Sequence, residues 1–316
     1  MSELRKDYFL DRWVIISEKR GKRPHKFKKV LDPNALKPID KNCKFCPGVF
    51  NIAPEVCRMG TKNEWYIKVI QNIFPAVDKS DYRPITTKNT FFTSGSAYGY
   101  HEVIIDTNRH NKQLHQYPKE HIKDLFYVFI NRIKTLSKDP KIKYVTVFKN
   151  YKKEAGASIP HSHCQLIAYN HFPDAITQEL KDLKKHKFCV HCKLIKLESN
   201  SPRLCYKNNS FIAIAPFASR FPYEIEFIPK RHVNSLTELN EKELNDLSDI
   251  IRKSLMKLNK LDAAYNLYVH NFHIGHWSHL HINIAPRLSI MAGFEFETDN
   301  FINTVYPENA AKFYRK

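Results

Sequence analysis

Glycine is scarce, with 8 residues in a chain of 316. No stretch offers the spaced glycines of a P-loop or a dinucleotide-binding turn, so any phosphate must be held by other means. Long apolar runs are also missing. The N-terminal stretch MSELRKDYFLDRWVIISEKRGKRPHKF carries charge on both sides of a very short apolar segment. That fits neither a secretion signal nor a membrane span, and the expectation is a soluble cytoplasmic protein with no membrane partner. Cysteine numbers only 7, an odd count, and four of these fall in two C-x-x-C pairs. This suits metal binding in a reducing compartment better than a disulfide framework. Acid is short relative to base, 32 Asp and Glu against 51 Lys and Arg, giving a net charge of +19. An anionic partner is implied, whether nucleic acid, membrane surface or phosphorylated metabolite.

The length exceeds that of one usual compact core, so two domains, or one fold of two similar halves, are expected. The order of parts supports two halves. CKFC (43–46) is followed by GYHEVIIDTNRH ending at His110, a helix-like PKEHIKDLFYVFINRIKTLSKD, a strand-like KYVTVFKN and HSHCQLIA. CVHC (189–192) is followed by FPYEIEFIPKRH ending at His232, a helix-like SLTELNEKELNDLSDIIRKSLMKLNKL, AYNLYVHN and HLHINIAP. The same series occurs twice. In the first helix Ile122, Leu125, Phe126, Phe129, Ile130, Ile133 and Leu136 form a stripe at three- and four-residue spacing. Leu244, Leu247, Ile250, Ile251, Leu255 and Leu258 do so in the second. Strands followed by helices laid on one sheet face indicate a duplicated α+β fold with modules at 1–170 and 171–316, connected through 170–188.

Each half carries a ligand set for a metal. A structural zinc site needs four nitrogen or sulfur ligands, and a C-x-x-C turn supplies two. The repeat nominates Cys43, Cys46, His110 and His161 in the first half, and Cys189, Cys192, His232 and His279 in the second. In the second set His276 or His281 could replace His279. Cys57, Cys164 and Cys205 read as ordinary small side chains. In SIPHSHCQLIAYN (158–170), His161, His163 and Gln165 occupy alternate positions, so in a strand they project together while Ser162 and Cys164 face the other way. With His161 given to the metal, His163 is free to attack phosphorus or to act as a general base toward water. Gln165 offers an amide donor beside it. AGAS (155–158) lets backbone approach a phosphate, with the Ser158 hydroxyl as a further donor. Arg20, Lys22 and Arg23 could complete a charged clamp, although solvated surface is the commoner fate of a basic run.

Taken in order, LRKDYFLDRWVIISEKRGKRPH, CKFCPG, QNIFPAV, GYHEVIID, FKN and GASIPHSHCQLIA resemble the galactose-1-phosphate uridylyltransferase family, a branch of the histidine-triad superfamily. The C-terminal HLHINIAPRLSIMAGFEFETDNFINTVYPENAA resembles the same branch. The resemblance spans nearly the whole chain. It implies two tandem histidine-triad modules, each an antiparallel half-barrel sheet with packed helices, commonly in a homodimer. It also implies a ping-pong transfer of a nucleoside monophosphate through a covalent nucleotidyl-histidine, with His163 as nucleophile and Gln165 stabilising the intermediate. Arg20, Arg23, Asn72, Asn150 and Ser158 match nucleotide-contacting positions, and Phe294 and Glu295 match contacts to the sugar or second phosphate. Cys43, Cys46, His110 and His161 match the family's zinc ligands.

Three departures stand out. Ser162 replaces the family's usual proline. The second half reads H-L-H-I-N without the glutamine, implying one active and one structural module. AGFE continues with Glu297, Thr298 and Asp299 where relatives have G-T-G. The expected activity is uridylyl exchange between UDP-glucose and a hexose 1-phosphate. The AGFE form also resembles ADP-glucose phosphorylase, which passes AMP to phosphate, and diadenosine tetraphosphate phosphorylase shares the H-x-H-x-Q logic. A zinc-stapled nucleic-acid-binding protein is the non-enzymatic alternative. Against it, the Lys and Arg residues are spread along both halves, and it leaves the H-x-H-x-Q residues unexplained.

Overall fold

The computed structural model describes residues 2–8, 10–21, 37–48, 53–80, 82–272 and 277–316. The chain opens with β1 (Glu3–Lys6), β2 (Trp13–Ile16) and the single turn α1 (Glu18–Gly21). Next come β3 (Glu55–Gly60), β4 (Trp65–Gln71), a small hairpin of β5 (Thr86–Lys88) and β6 (Phe92–Ser94), and β7 (Gly99–Ile105). The long helix α2 (Lys119–Leu136) leads into β8 (Tyr144–Tyr151) and β9 (His163–Tyr169). Then follow α3 (Asp174–Lys184), α4 (Val190–Glu198), β10 (Leu204–Lys207), β11 (Phe211–Ile214) and β12 (Ile225–Pro229). The second long helix α5 (Glu241–Asn259) precedes β13 (Tyr265–His270) and β14 (His281–Pro286), and α6 (Gly293–Thr298), β15 (Phe301–Asn303) and α7 (Pro307–Arg315) end the chain.

Ten of these strands form one antiparallel sheet in the order β10-β11-β12-β14-β13-β8-β9-β7-β4-β3. Outward from its centre, β8, β9, β7, β4 and β3 on one side answer β13, β14, β12, β11 and β10 on the other. The series repeated in the sequence therefore reappears as a spatial order, and the two halves meet where β8 pairs with β13. On one face lie α2 and α5, whose apolar stripes run as the spacing indicates. Ile122, Leu125, Phe126, Phe129, Ile133 and Leu136 of α2 are buried together with Leu244, Leu247, Ile251, Leu255 and Leu258 of α5. From β8 and β9 the same core receives Val145, Val147, Cys164, Leu166 and Ala168. Each Val, Leu, Ile or Phe among them contributes about 1.5–3 kcal/mol on burial. Strand alternation then forces His163, Gln165 and Ile167 onto the opposite face. The start of α5 is fixed by a capping box, in which Asn240 accepts from the Glu243 N–H and Glu243 accepts from the Asn240 N–H.

Three features lie outside the expected pattern. β1, β2 and β15 make a separate small sheet in which β15 runs parallel to β2, bringing the two ends of the chain together. The β5–β6 hairpin stands apart as a two-stranded ribbon. Residues 174–184, within the expected connection, form α3. Its buried positions include Glu179 and Asp182 beside Leu183, so charge on the inward face hides the apolar stripe that would have marked a helix. Among the described residues no helix is long and apolar enough to cross a membrane.

A buried ion pair lies on the helix side of the sheet. Lys149, 1% exposed, donates to Asp106 Oδ2 at 2.6 Å, to Ser162 Oγ at 2.8 Å and to the His163 carbonyl at 3.0 Å. Burial works against the Asp106 charge, yet Lys149 and the Ser162 hydroxyl hold its carboxyl below the usual carboxylate range. Such a group contributes stability above its unfolded pKa, near 4, that is lost as pH falls through the lower folded value. Lys149→Met would strand the carboxylate and is expected to cost about 3–5 kcal/mol near pH 7. A stranded buried carboxyl binds a proton more readily. The gap between variant and parent should therefore narrow from about pH 7 to about pH 5 in urea denaturation; an unchanged gap would show that Asp106 carries no charge to strand.

Candidate active site and metal centres

A cavity of about 750 Å³ opens on the sheet face opposite α2 and α5. Register places its floor residues. His163 pairs with Ile105, and Ile105 with Lys68; Gln165 pairs with Val103 on one side and Phe148 on the other. Phe45, Trp65, Ile70, Val103 and Ile105 give an apolar surface of the kind that takes a flat ring, while Lys44, Lys62 and Lys68 supply positive charge. Asn72, His101, Ser158, His163 and Gln165 also line it.

His163 is prepared by its own backbone. Its Nδ1–H donates to the His161 carbonyl at 2.8 Å. A carbonyl can only accept, so the proton of the neutral ring sits on Nδ1 and Nε2 keeps its lone pair. Burial, reinforced by the Lys149 charge, lowers the pKa of the imidazole, which holds the ring in the neutral form that a nucleophile requires. Phe45 packs edge-on against it with ring centres 5.2 Å apart.

Gln165 is oriented by a chain that sequence reading did not find. The Ala76 N–H donates to His101 Nδ1 at 3.0 Å, so the neutral His101 ring carries its proton on Nε2, which donates to Gln165 Oε1 at 2.9 Å. Burial lowers the His101 pKa, consistent with a neutral ring. The Gln165 oxygen is thus engaged, and its amino group is left as a donor on the cavity side. Asn72 lies 3.1 Å from the same Nε2 and accepts the Phe74 N–H. The available signal for His101 was parity, since His101, Val103 and Ile105 alternate in GYHEVII.

Beside the cavity, Cys43, Cys46, His110 and His161 offer four ligand atoms all within 4.8 Å of one another. Cys43 Sγ lies 3.6 Å from His161 Nδ1, and Cys46 Sγ lies 3.5 Å from Nδ1 of both His110 and His161. Around a tetrahedral ion at ordinary zinc distances, sulfur and nitrogen ligands stand about 3.5 Å apart. The His161 Nε2–H donates to the Thr107 carbonyl at 2.7 Å, which turns the Nδ1 lone pair toward the sulfurs. Burial lowers the His161 pKa to about 4 and raises that of Cys43 to about 11. A neutral ring is the ligand form, whereas the buried thiol needs a cation to become thiolate.

The second cluster has the same geometry. Cys189 Sγ is 3.4 Å and Cys192 Sγ 3.6 Å from His279 Nδ1, and Cys192 Sγ is 3.4 Å from His232 Nδ1. His279 Nε2–H donates to the Pro229 carbonyl at 2.9 Å. Both Cys and His clusters can therefore bind a metal. Of the alternatives to His279, His281 turns away toward Glu179 and His270, and His276 lies outside the described residues.

The remaining expected site residues divide. Asn150 lies on β8, its oxygen accepting from Asn266 at 2.8 Å, and Ser158 lines the cavity. Arg20 is exposed on α1, and Lys22 and Arg23 lie outside the described residues. Phe294 is partly exposed on α6, where Glu295 caps the helix by accepting the Ala292 N–H. Arg20, Phe294 and Glu295 are not among the described residues that line the cavity.

Comparison with known proteins agrees with this arrangement. Residues 86–313 match a family described as a domain of unknown function, DUF4921. ADP-glucose phosphorylase of Arabidopsis thaliana is 33% identical over 99% of this chain and 92% of its own length. Galactose-1-phosphate uridylyltransferase of Thermotoga maritima is 30% identical over 100% and 98%. Among solved structures, the Arabidopsis ADP-glucose phosphorylase with bound ADP-glucose superimposes with a TM-score of 0.85, covering 100% of this chain and 98% of its own at 31% identity. A uridylyltransferase gives a TM-score of 0.76, covering 100% and 97% at 26% identity. The chain belongs to the DUF4921 family and, with these relatives, to the galactose-1-phosphate uridylyltransferase family of nucleotidyltransferases.

Proposed function

We propose that this protein transfers a nucleoside monophosphate from a nucleotide sugar, by way of a nucleotidyl-His163 intermediate. The observation that carries the reading is the His163 ring, held by Nδ1 on the His161 carbonyl with Nε2 unshared, in a cavity large enough for a nucleotide. Nε2 attacks the α-phosphorus of the nucleotide sugar. A nitrogen–phosphorus bond forms, the bridging phosphorus–oxygen bond breaks, and the electron pair leaves with the sugar 1-phosphate. Nδ1 keeps its proton, hydrogen-bonded to the His161 carbonyl, which stabilises the positive charge on the ring. An acceptor phosphate oxygen then attacks the same phosphorus and the nitrogen–phosphorus bond breaks. Gln165 supplies a fixed N–H donor to a phosphoryl oxygen in both steps.

Two forms of this chemistry suit the site: uridylyl exchange between UDP-glucose and hexose 1-phosphate, and phosphorolysis of an ADP-sugar. The greater likeness to the ADP-glucose-bound relative favours AMP as the carried group. The spread of basic residues gives no support to nucleic-acid binding. Zinc in both Cys and His clusters, modules at 1–170 and 171–316, a cytoplasmic location and a homodimer belong to the same reading. Zinc at Cys43, Cys46, His110 and His161 would stabilise the thiolates and keep the His161 carbonyl in place under His163.

Incubation with ADP-glucose or UDP-glucose followed by intact-mass measurement is expected to show one AMP or UMP per chain, and none on His163→Ala. Turnover of His163→Ala should fall by at least about 10⁴-fold. Absence of an adduct from either donor on metal-replete parent protein would exclude the covalent route. Gln165→Ala should lower kcat by about 10²–10³-fold; a change confined to KM would assign Gln165 to binding alone. Metal analysis should find two zinc ions per chain. Cys46→Ser and Cys192→Ser should each retain one, with adduct formation lost in the first and kept in the second.

A further inference from the structure

Asn150 and Asn266 pair across the seam between β8 and β13. The β8–β9 ladder ends with Phe148 paired to Gln165, and Asn150, two residues on from Phe148, faces the same side of the sheet as His163 and Gln165. Continued at the same register, the two strands would set Asn150 opposite His163, about 5 Å away, within range for its amide to meet a phosphoryl group on the ring. Whether it presents oxygen or nitrogen there depends on its other partners.

Those partners form a chain with one direction. Arg287 has only donors, and its Nε–H donates to Asn266 Oδ1 at 2.5 Å. The Asn266 oxygen is thereby fixed toward Arg287 and its amino group toward β8. That amino group donates to Asn150 Oδ1 at 2.8 Å and to the Ala155 carbonyl at 2.8 Å, which uses both of its hydrogens. Asn150 is fixed in turn, with its oxygen on the Asn266 side and its Nδ2 toward Gly156. A Cβ at Gly156 would stand 3.7 Å from that nitrogen, and the residue turns at φ +89°. The same Asn266 amino group, through Ala155, holds the loop that leads to Ser158 on the cavity wall.

We propose that Arg287 and Asn266 are positioning residues from the second half of the chain, which lock Asn150 as a hydrogen-bond donor toward the phosphoryl group at His163. The proposal rests on the nucleotidyl-transfer reading. The locked amide suits ligands that only accept at this point, as a phosphoryl oxygen does, and it leaves recognition of base and ribose untouched. Asn266→Asp tests this with almost no change of shape. The aspartate still accepts from Arg287, but it cannot donate to Asn150 Oδ1, so Asn150 turns its nitrogen toward the carboxylate and its oxygen toward the phosphate.

Calorimetric titration of the full-length protein with AMP, UMP, adenosine and uridine separates the outcomes. Asn266→Asp should weaken binding of the preferred mononucleotide by about tenfold or more, the loss of one hydrogen bond to a charged group. Affinity for the corresponding nucleoside should stay the same. Equal losses for nucleotide and nucleoside, or no loss for the nucleotide, would overturn the proposal, because a merely structural role moves both ligands together. If Asn266→Asp does not fold, Arg287→Met decides in the same way, with a smaller selective loss for the nucleotide expected. Parent protein that binds neither mononucleotide would instead overturn the nucleotidyl-transfer reading, and the proposal with it.

Discussion

Pairing of β8 with β13 is the constraint on which the rest of the molecule depends. Four residue pairs, Tyr151 with Tyr265, Asn150 with Asn266, Lys149 with Leu267 and Phe148 with Tyr268, turn two five-stranded series into one sheet. Register along a strand has a period of two, so a slip of one residue would exchange the faces. Asn150 and Phe148 would enter the helix-side core, while Lys149 would lose Asp106 and face the cavity. With the observed register, Leu267 joins the apolar layer under α2 and α5, and Asn266 is available to Asn150. Hydrophobic burial on one side of the seam thus determines hydrogen bonding on the other.

The segment 161–163 shows how tightly metal, nucleophile and core are connected. His161 gives Nδ1 to the cysteine cluster, Nε2–H to Thr107 and its carbonyl to the His163 ring. Ser162 points the other way, into the pair formed by Lys149 and Asp106. His163 receives Lys149 at its own carbonyl. Three successive residues therefore serve three environments, and each fixes the next through a backbone atom. Proline at position 162 would offer no hydroxyl to Asp106. The serine is accompanied by a buried lysine whose three hydrogen bonds anchor the same turn from beneath.

Much of this was legible in the sequence. The duplicated order of C-x-x-C, strand, helix and histidine-bearing strand translated into the mirrored order of the sheet, because each part has its own local signature: turn cysteines, a stripe of period 3.6, or alternation of period two. C-x-x-C spacing and the repeated order nominated both groups of metal ligands, with His276 or His281 left open in place of His279, and strand alternation put His163 and Gln165 on one face. Legibility failed where identity depends on a distant partner. Nothing near His101 indicates that the Ala76 N–H sets its tautomer, and Lys149 in VTVFKN reads like any strand-edge lysine until Asp106 and Ser162 close around it. Arg287 was unmarked for the same reason. The inward face of α3 carries Glu179 and Asp182, so no apolar period announced that helix.

The two halves share a backbone device but surround it differently, and this difference is physical as well as sequential. His281 repeats His163: its Nδ1–H donates to the His279 carbonyl at 3.0 Å, as His163 does to His161. Around His163 stand Phe45, the cavity and neutral amides. Around His281 stand His270, stacked at 4.1 Å, and His191, stacked at 4.6 Å. Glu179 and Glu226 complete the enclosure, and burial raises the Glu226 pKa to about 7. His191 comes from α4 and Glu179 from α3, the two helices that follow β9 in the chain. By covering the second half's equivalent of the cavity floor they fill the space over His281, whereas His163 borders the cavity. A nucleophile needs room for its electrophile, and on this sheet the room lies over the first half, where no helices corresponding to α3 and α4 precede the strands among the described residues.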